Sequence, residues 1–208
     1  MYKTVSSLST GEFEDRKSRF IAALSHVTNE DEAIAFIEGI RAANRKARHN
    51  VYAYILRDGN ITRYTDDGEP SGTAGVPVLE LLRREGLTDV CIVVTRYFGG
   101  ILLGTGGLVR AYTSAAKAAV SNTHICEMEE CAVMNITCDY TYYGTLQNLF
   151  AQYDVRIVSS DFADNVTLCL LCRADSADAF SLAVTDITNG RVAAAVDHIE
   201  FADMNLGS

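Results

Sequence analysis

The chain has 208 residues, of which 48% are hydrophobic and 22% charged, and this balance is typical of a folded globular protein rather than a disordered one. Its mean hydropathy is only +0.06. No apolar run approaches the roughly 20 residues of a membrane span, and the N-terminus lacks a secretory signal. We therefore expect a cytoplasmic protein without a membrane partner.

Charge is distributed unevenly along the chain. Residues 1–124 contain 15 Lys and Arg against 14 Asp and Glu, whereas residues 125–208 contain 3 against 13, so the net charges are +1 and −10. This asymmetry predicts two domains, 1–125 and 126–208. Because an acidic surface repels polyphosphate, any nucleic-acid contact is expected in the first domain, and the second is better suited to a protein partner.

Hydrophobic periodicity, capping residues and turn residues predict the elements of both domains. Those of the first domain are a strand at 18–27, a helix at 30–48, a hairpin at 51–65 that turns at 58–60, a helix at 76–85, a buried strand at 89–95 and a helix at 106–122. Those of the second are a strand at 132–138, a helix at 143–153, strands at 155–162 and 166–173, a helix at 176–188 and a strand at 192–201. This β-α-β-β-α-β order is that of ferredoxin-like domains.

Six cysteines in a chain without an export signal are expected to be reduced. Cys169 and Cys172 have C-x-x-C spacing but lie in an apolar run, VTLCLLCR, that reads as a strand. Residues three apart on a strand point to opposite faces, so we interpret this pair as structural rather than as metal ligands.

Glycines are concentrated in two segments of the first domain. The second glycine segment, residues 96–112 (RYFGGILLGTGGLVRAY), follows a strand and enters a helix, whose free N–H groups and dipole favour an anion. Arg96 and Arg110 can pair with a phosphate, and Tyr97 and Phe98 can stack on a base. The glycines are Gly99, Gly100, Gly104, Gly106 and Gly107. The segment does not match the phosphate-loop pattern, and close packing of helix against sheet is an equally open explanation for these glycines.

The first glycine segment, residues 66–75 (DDGEPSGTAG), is rich in polar side chains. Its candidates are Asp66, Asp67, Glu69, Ser71 and Thr73. Three carboxylates can hold Mg²⁺ together with substrate phosphates, or act as a general base. The alternative is ordinary turn and helix-cap chemistry. A basic stretch at 45–50 adds Arg48 and His49, and the histidine is either a proton carrier beside these carboxylates or a hydrogen-bonded structural residue.

Four segments together resemble the bacterial YigZ-like branch of the IMPACT family: KSRFIA (17–22), RHNVYAY (48–54), DDGEPSGTAGVPVL (66–79) and DVCIVVTRYFGGILLGTGGLVRAY (89–112). The resemblance implies an α+β protein of two domains. The first is a βαβ domain of the type shared by a ribosomal protein, elongation factor G and the GHMP kinases, and the second is ferredoxin-like. Eukaryotic relatives regulate translation, so the resemblance also implies a link to translation, nucleic acid or the ribosome.

We therefore expect a translation-linked regulator that binds RNA or the ribosome, with no cofactor and no assigned catalytic residue. The residues expected to hold phosphates or bases are Arg19, Arg48, His49, Arg96, Tyr97, Arg110 and the glycines of the second glycine segment. One alternative is an enzyme that uses Mg²⁺ in the first glycine segment to act on a phosphorylated small molecule. Another is a protein-interaction module that uses the acidic second domain.

Overall fold

The computed structural model describes residues 1–204, which form two compact units. The first unit is Tyr2–Cys126, and the second runs from Glu127 and includes Met1. The elements of the first unit are β1 (Tyr2–Val5), β2 (Ser9–Asp15), β3 (Ser18–His26), α1 (Glu30–Ala43), β4 (His49–Leu56), β5 (Ile61–Thr65), α2 (Gly75–Arg84), β6 (Val90–Tyr97) and α3 (Gly104–Ser121).

The first unit is built on an antiparallel sheet with the strand order β2-β3-β6-β4-β5. Because β3 and β4 both pair antiparallel with β6, they run parallel to each other, and α1 is the crossover between them. This is the βαβ arrangement that the family resemblance implies. Strand β6 is apolar on both faces because it is covered on both. Val90, Ile92 and Val94 pack in the cluster with α2 and α3 on one face, and Cys91 and Val93 pack with α1 on the other.

Helix α1 ends at Ala43, so the prediction that it reaches residue 48 is wrong. Asn44 ends it, because its backbone N–H bonds to the carbonyls of Ile40 and Arg41 and its side-chain amide donates to Ile40 at 2.8 Å. Residues 45–48 of the basic stretch, which the predicted helix included, therefore lie in the connection to β4. Arg48 stands immediately before that strand.

From residue 125 onward the chain forms the predicted β-α-β-β-α-β order, which is confirmed. The elements are β7 (Ile125–Cys138), α4 (Tyr140–Gln152), β8 (Arg156–Phe162), β9 (Val166–Arg173), α5 (Ala177–Ile187) and β10 (Ala195–Asp203). The four strands pair antiparallel in the order β10-β7-β9-β8. Apolar residues of α4 and α5 pack against one face of this sheet. None of the described helices has the length and apolar character needed to cross a bilayer.

Two strands from residue 125 onward begin three or more residues away from their predicted starts. Strand β7 begins at Ile125 rather than at residue 132, and β10 begins at Ala195 rather than at residue 192. Val192 is buried, but its N–H donates to the Thr188 hydroxyl at 3.1 Å. Its backbone is therefore bonded to the end of α5 and does not pair with a neighbouring strand.

The cysteines of β9 face opposite sides of their sheet, as the strand spacing predicted. Cys172 packs in the helix-side cluster, whereas Cys169 packs with Leu171 on the other face. Burial raises the pKa of the Cys172 thiol to about 11, so almost no thiolate is present at neutral pH. The environment of Cys172 is therefore that of a packing residue.

Candidate functional site

A cleft of about 390 Å³ lies in the first unit, where the two glycine segments meet the start of β4. Six residues that the sequence analysis named as candidates line it: Arg48, His49, Glu69, Arg96, Phe98 and Gly104. The rest of the wall is mainly apolar and comes from Pro70, Leu102, Leu103 and Leu108, with Thr105 among them. The cleft therefore combines charge on one part of its wall with apolar surface on another.

Arg96 and Glu69 form a buried ion pair in the wall of the cleft. Arg96 Nη1 lies 2.6 Å from Glu69 Oε1, and the two side chains are only 6% and 4% exposed. The Tyr112 hydroxyl donates to the same Glu69 oxygen at 2.8 Å. Burial, followed by the charge of Glu69, raises the pKa of Tyr112, so the tyrosine stays protonated and remains a donor.

The guanidinium of Arg96 retains hydrogen-bonding capacity despite this pairing. It lies between two aromatic rings, 5.5 Å from the centroid of Phe20 and 5.5 Å from that of Phe98. Its Nε is buried and has no hydrogen-bond partner among the described residues. Buried donors are nearly always satisfied in folded proteins, so this unpaired donor makes the wall of the cleft a candidate surface for an acceptor.

The N-terminus of α3 opens on the same cleft. Leu103 occupies the capping position and provides no side-chain hydrogen bond, and the first turn contains no acidic residue. Gly104 and Thr105 line the cleft, and Gly104 has φ +70°, a conformation that favours glycine. The first N–H groups of a helix have no partner within the helix and carry the positive end of its dipole. This end of α3 is therefore suited to an anion.

Arg48 and His49 complete the polar side of the cleft. Arg48 is exposed and has no carboxylate partner in the part of the chain that the structure describes. His49 Nδ1 lies 2.8 Å from the carbonyl oxygen of Asp67. Because a carbonyl can only accept, Nδ1 carries the proton, and in the neutral ring Nε2 is the acceptor.

The first glycine segment uses its carboxylates within the protein. Asp66 accepts hydrogen bonds from the backbone N–H groups of Gly72, Ala74 and Gly75 at 2.8, 3.1 and 2.8 Å, and so caps α2. Asp67 accepts from the Asn50 N–H at 2.6 Å, and Glu69 is held as described above. In the described chain these three carboxylates do not converge closely enough to share a metal ion. Capping and turn chemistry therefore account for Asp66 and Asp67, and the ion pair with Arg96 accounts for Glu69.

The two hydroxyl residues of that segment lie outside the cleft lining. The Thr73 hydroxyl donates to the carbonyl oxygen of Pro70 at 2.7 Å and is part of the turn. Ser71 is exposed.

Several predicted phosphate-binding residues are likewise not brought to the cleft. Arg19 is exposed and pairs with Glu12 on the neighbouring strand. The Tyr97 hydroxyl donates to Asn44 at 2.8 Å. Arg110 is exposed on α3 beyond the lining. The glycines outside the lining are Gly99, Gly100, Gly106 and Gly107.

Gly99 has a packing role rather than a binding one. A Cβ at this position would lie 2.1 Å from the Lys17 carbonyl carbon, and the Gly99 N–H donates to the Ser18 hydroxyl at 3.1 Å. This glycine therefore permits close packing of the loop after β6 against the β2–β3 turn, and not the packing of helix against sheet that the sequence left open as an alternative.

Sequence reasoning missed Leu102, Thr105 and Tyr112. A signal existed for Leu102, because residues 101–103 form an apolar run between glycines, where a solvent-exposed loop would otherwise be polar. Nothing in the sequence marks Tyr112 as the second donor to Glu69, since the two residues are 43 positions apart.

Comparison with known proteins decides the family. The model of the Impact N-terminal domain matches residues 16–120, and that of a domain of unknown function, DUF1949, matches residues 136–191. The IMPACT family member YvyE of Bacillus subtilis (strain 168) is 39% identical over 191 residues, which cover 91% of this chain and 88% of YvyE. The chain belongs to the IMPACT family. The predicted membership is thus confirmed, and the Impact N-terminal match spans every residue that lines the cleft.

Two further relatives extend this finding. The IMPACT family member YigZ of Escherichia coli (strain K12) is 36% identical over 180 residues, which cover 85% of this chain and 88% of YigZ. A crystal structure described as that of a hypothetical protein is 33% identical, has a TM-score of 0.62, and covers 95% of this chain and 97% of its own. Both matches extend along most of this chain and therefore include both of its α+β domains.

Proposed function

We propose that this IMPACT family member is a translation-linked regulatory protein that binds RNA, free or within the ribosome, through the cleft of its first unit. The family resemblance supports the link to translation, because eukaryotic relatives regulate that process. One observation carries the choice of ligand: the start of α3, which Leu103 does not cap, and Arg96, whose buried Nε has no hydrogen-bond partner among the described residues, line one cleft. Phosphate oxygens are the acceptors that such a site fits.

The balance of charge in the cleft favours an anion. Glu69 is neutralised by Arg96 and its side chain is 4% exposed, so it presents little negative charge to a ligand. The exposed Arg48 and the dipole of α3 then give the cleft a positive potential. The chain beyond residue 124 has a net charge of −10, which disfavours RNA contacts there.

The metal-dependent enzyme has less support. It requires carboxylates free to bind Mg²⁺, whereas Asp66, Asp67 and Glu69 already accept hydrogen bonds from the protein.

The salt dependence of RNA binding tests the proposal. We expect the affinity of the full chain for single-stranded RNA or for ribosomes to fall linearly on a log–log plot against KCl concentration. Arg48→Ala should weaken binding and reduce that slope by about one, because one phosphate contact is lost. Arg110→Ala removes an exposed arginine of the same unit outside the cleft and is the matched control.

Three results would overturn the proposal. They are no binding to RNA or ribosomes, an affinity that does not respond to salt, and a slope that falls with Arg110→Ala but not with Arg48→Ala.

A further inference from the structure

We infer that the cleft accepts one nucleotide of single-stranded RNA, with the phosphate at the N-terminus of α3 and the base against Phe98 and Leu102. This inference rests on the proposed function, since it specifies that the same site binds RNA as a single strand and holds one nucleotide of it. The observation behind it is the apolar part of the cleft wall, which a phosphate alone does not require.

The apolar part of the cleft is unusually exposed. The Phe98 ring is 46% exposed and Leu102 is 80% exposed, although both belong to a loop that borders a charged site. Phosphate gains nothing from such surface, whereas a base stacks on an aromatic ring and packs against aliphatic carbon. A ligand with an anionic end and a flat apolar part uses both sides of the wall.

Arg96 connects the charged part of the cleft wall to the apolar part. Its guanidinium lies 5.5 Å from the Phe98 centroid, and the same side chain is anchored by Glu69 at 2.6 Å. The aromatic ring therefore rests against a positioned cation instead of moving freely in solvent. This order reduces the entropy lost when a base stacks on the ring.

The size of the cleft favours a single nucleotide over a duplex. Its volume of about 390 Å³ is near the lower end of the range for small-molecule sites, roughly 300–1,000 Å³, and suits a single nucleotide. In a duplex the bases are paired and stacked, so a base reaches such a cleft only after extrusion from the helix. We therefore expect a preference for single strands.

Competition binding to the full chain tests this inference. A labelled single-stranded oligoribonucleotide is first bound to the chain. Adenosine 5′-monophosphate, adenosine and inorganic phosphate are then tested separately as competitors at constant ionic strength. We expect the mononucleotide to compete at lower concentration than either fragment, and the single strand to bind at least about tenfold more tightly than a duplex of the same sequence, since base stacking is lost in the duplex.

Variants of the apolar wall provide the second test. Phe98→Ala should weaken binding about tenfold or more without changing the salt slope, because it removes stacking and no charge. Phe162→Ala is the matched control, since Phe162 is a 51% exposed aromatic residue of the second unit. Thermal melting checks that each variant is folded. If Phe98→Ala does not fold, Leu102→Ser carries the test, because Leu102 is 80% exposed and buries little surface in the fold.

The outcomes separate this inference from the proposed function. Equal binding of single strand and duplex, or unchanged affinity in folded Phe98→Ala and Leu102→Ser, would overturn the single-nucleotide cleft. A salt-dependent affinity that Arg48→Ala reduces would still support the proposed function in that case. Failure to bind any RNA would overturn both.

Discussion

The two glycine segments look alike in composition but differ in what their polar groups do. In residues 66–75 each carboxylate has a partner, and Asp66 alone accepts from three backbone N–H groups at the start of α2. Among the described residues no side chain has the corresponding role at the start of α3, and Nε of Arg96, which lines the same cleft, has no hydrogen-bond partner. Glycine clusters therefore mark unusual backbone, whereas the count of satisfied hydrogen bonds distinguishes a structural turn from a candidate binding site.

The largest effect is expected from breaking the ion pair in the wall of the cleft. Arg96→Met leaves Glu69 charged, buried and bonded only to Tyr112, and we expect it to lower the free energy of unfolding by about 3–5 kcal/mol. Urea denaturation measures this. The double variant Arg96→Met, Glu69→Leu should recover part of the loss, because no isolated charge remains. A loss below about 1 kcal/mol for Arg96→Met would mean that the pair is solvated.

The next effect concerns the packing role of Gly99. In Gly99→Ala the new Cβ meets the Lys17 backbone at 2.1 Å, so we expect a destabilisation of about 1–3 kcal/mol from overpacking. The melting temperature of the variant, compared with that of wild type, measures it. Unchanged stability would show that the loop after β6 does not pack against the β2–β3 turn in this way.

Removal of the Asp66 carboxylate tests the first glycine segment. Asp66→Ala should cost about 1–2 kcal/mol, because the N–H groups at the start of α2 lose their acceptor. Ser71→Ala is the control in the same loop, since Ser71 is exposed, and should stay within about 0.5 kcal/mol of wild type. Binding of Mg²⁺ by the wild type, lost in Asp66→Ala, would contradict the capping role.

The smallest effect has the opposite sign. Gly106 lies in the first turn of α3, and a Cβ added there meets no atom within 4 Å. Gly106→Ala should therefore raise the free energy of unfolding by up to about 1 kcal/mol through helix propensity. Chemical denaturation measures the change, and a destabilised variant would show that the start of α3 is more crowded than its geometry indicates.

The sequence predicted the elements better than it predicted the site. Strand β6 and helix α3 follow from periodicity, which is a local property of the chain. Arg96 pairs with a residue 27 positions away and Arg19 with Glu12 on the neighbouring strand, and such partners depend on strand register. Arg19 therefore looked free to bind phosphate when it was not. Asp66 looked like a metal ligand because the backbone N–H groups that donate to it lie at a helix start whose position only the fold defines.

The amide resonances of the two glycine segments provide the most direct test of the central claim. In a ¹⁵N NMR titration of the full chain with a single-stranded oligoribonucleotide, the amides of Gly104, Thr105 and Gly106 should shift saturably. Those of Gly72, Ala74 and Gly75, which already donate to Asp66, should move little. Unchanged signals at the start of α3, with shifts at other surfaces of the protein, would contradict the claim that this helix end holds the phosphate.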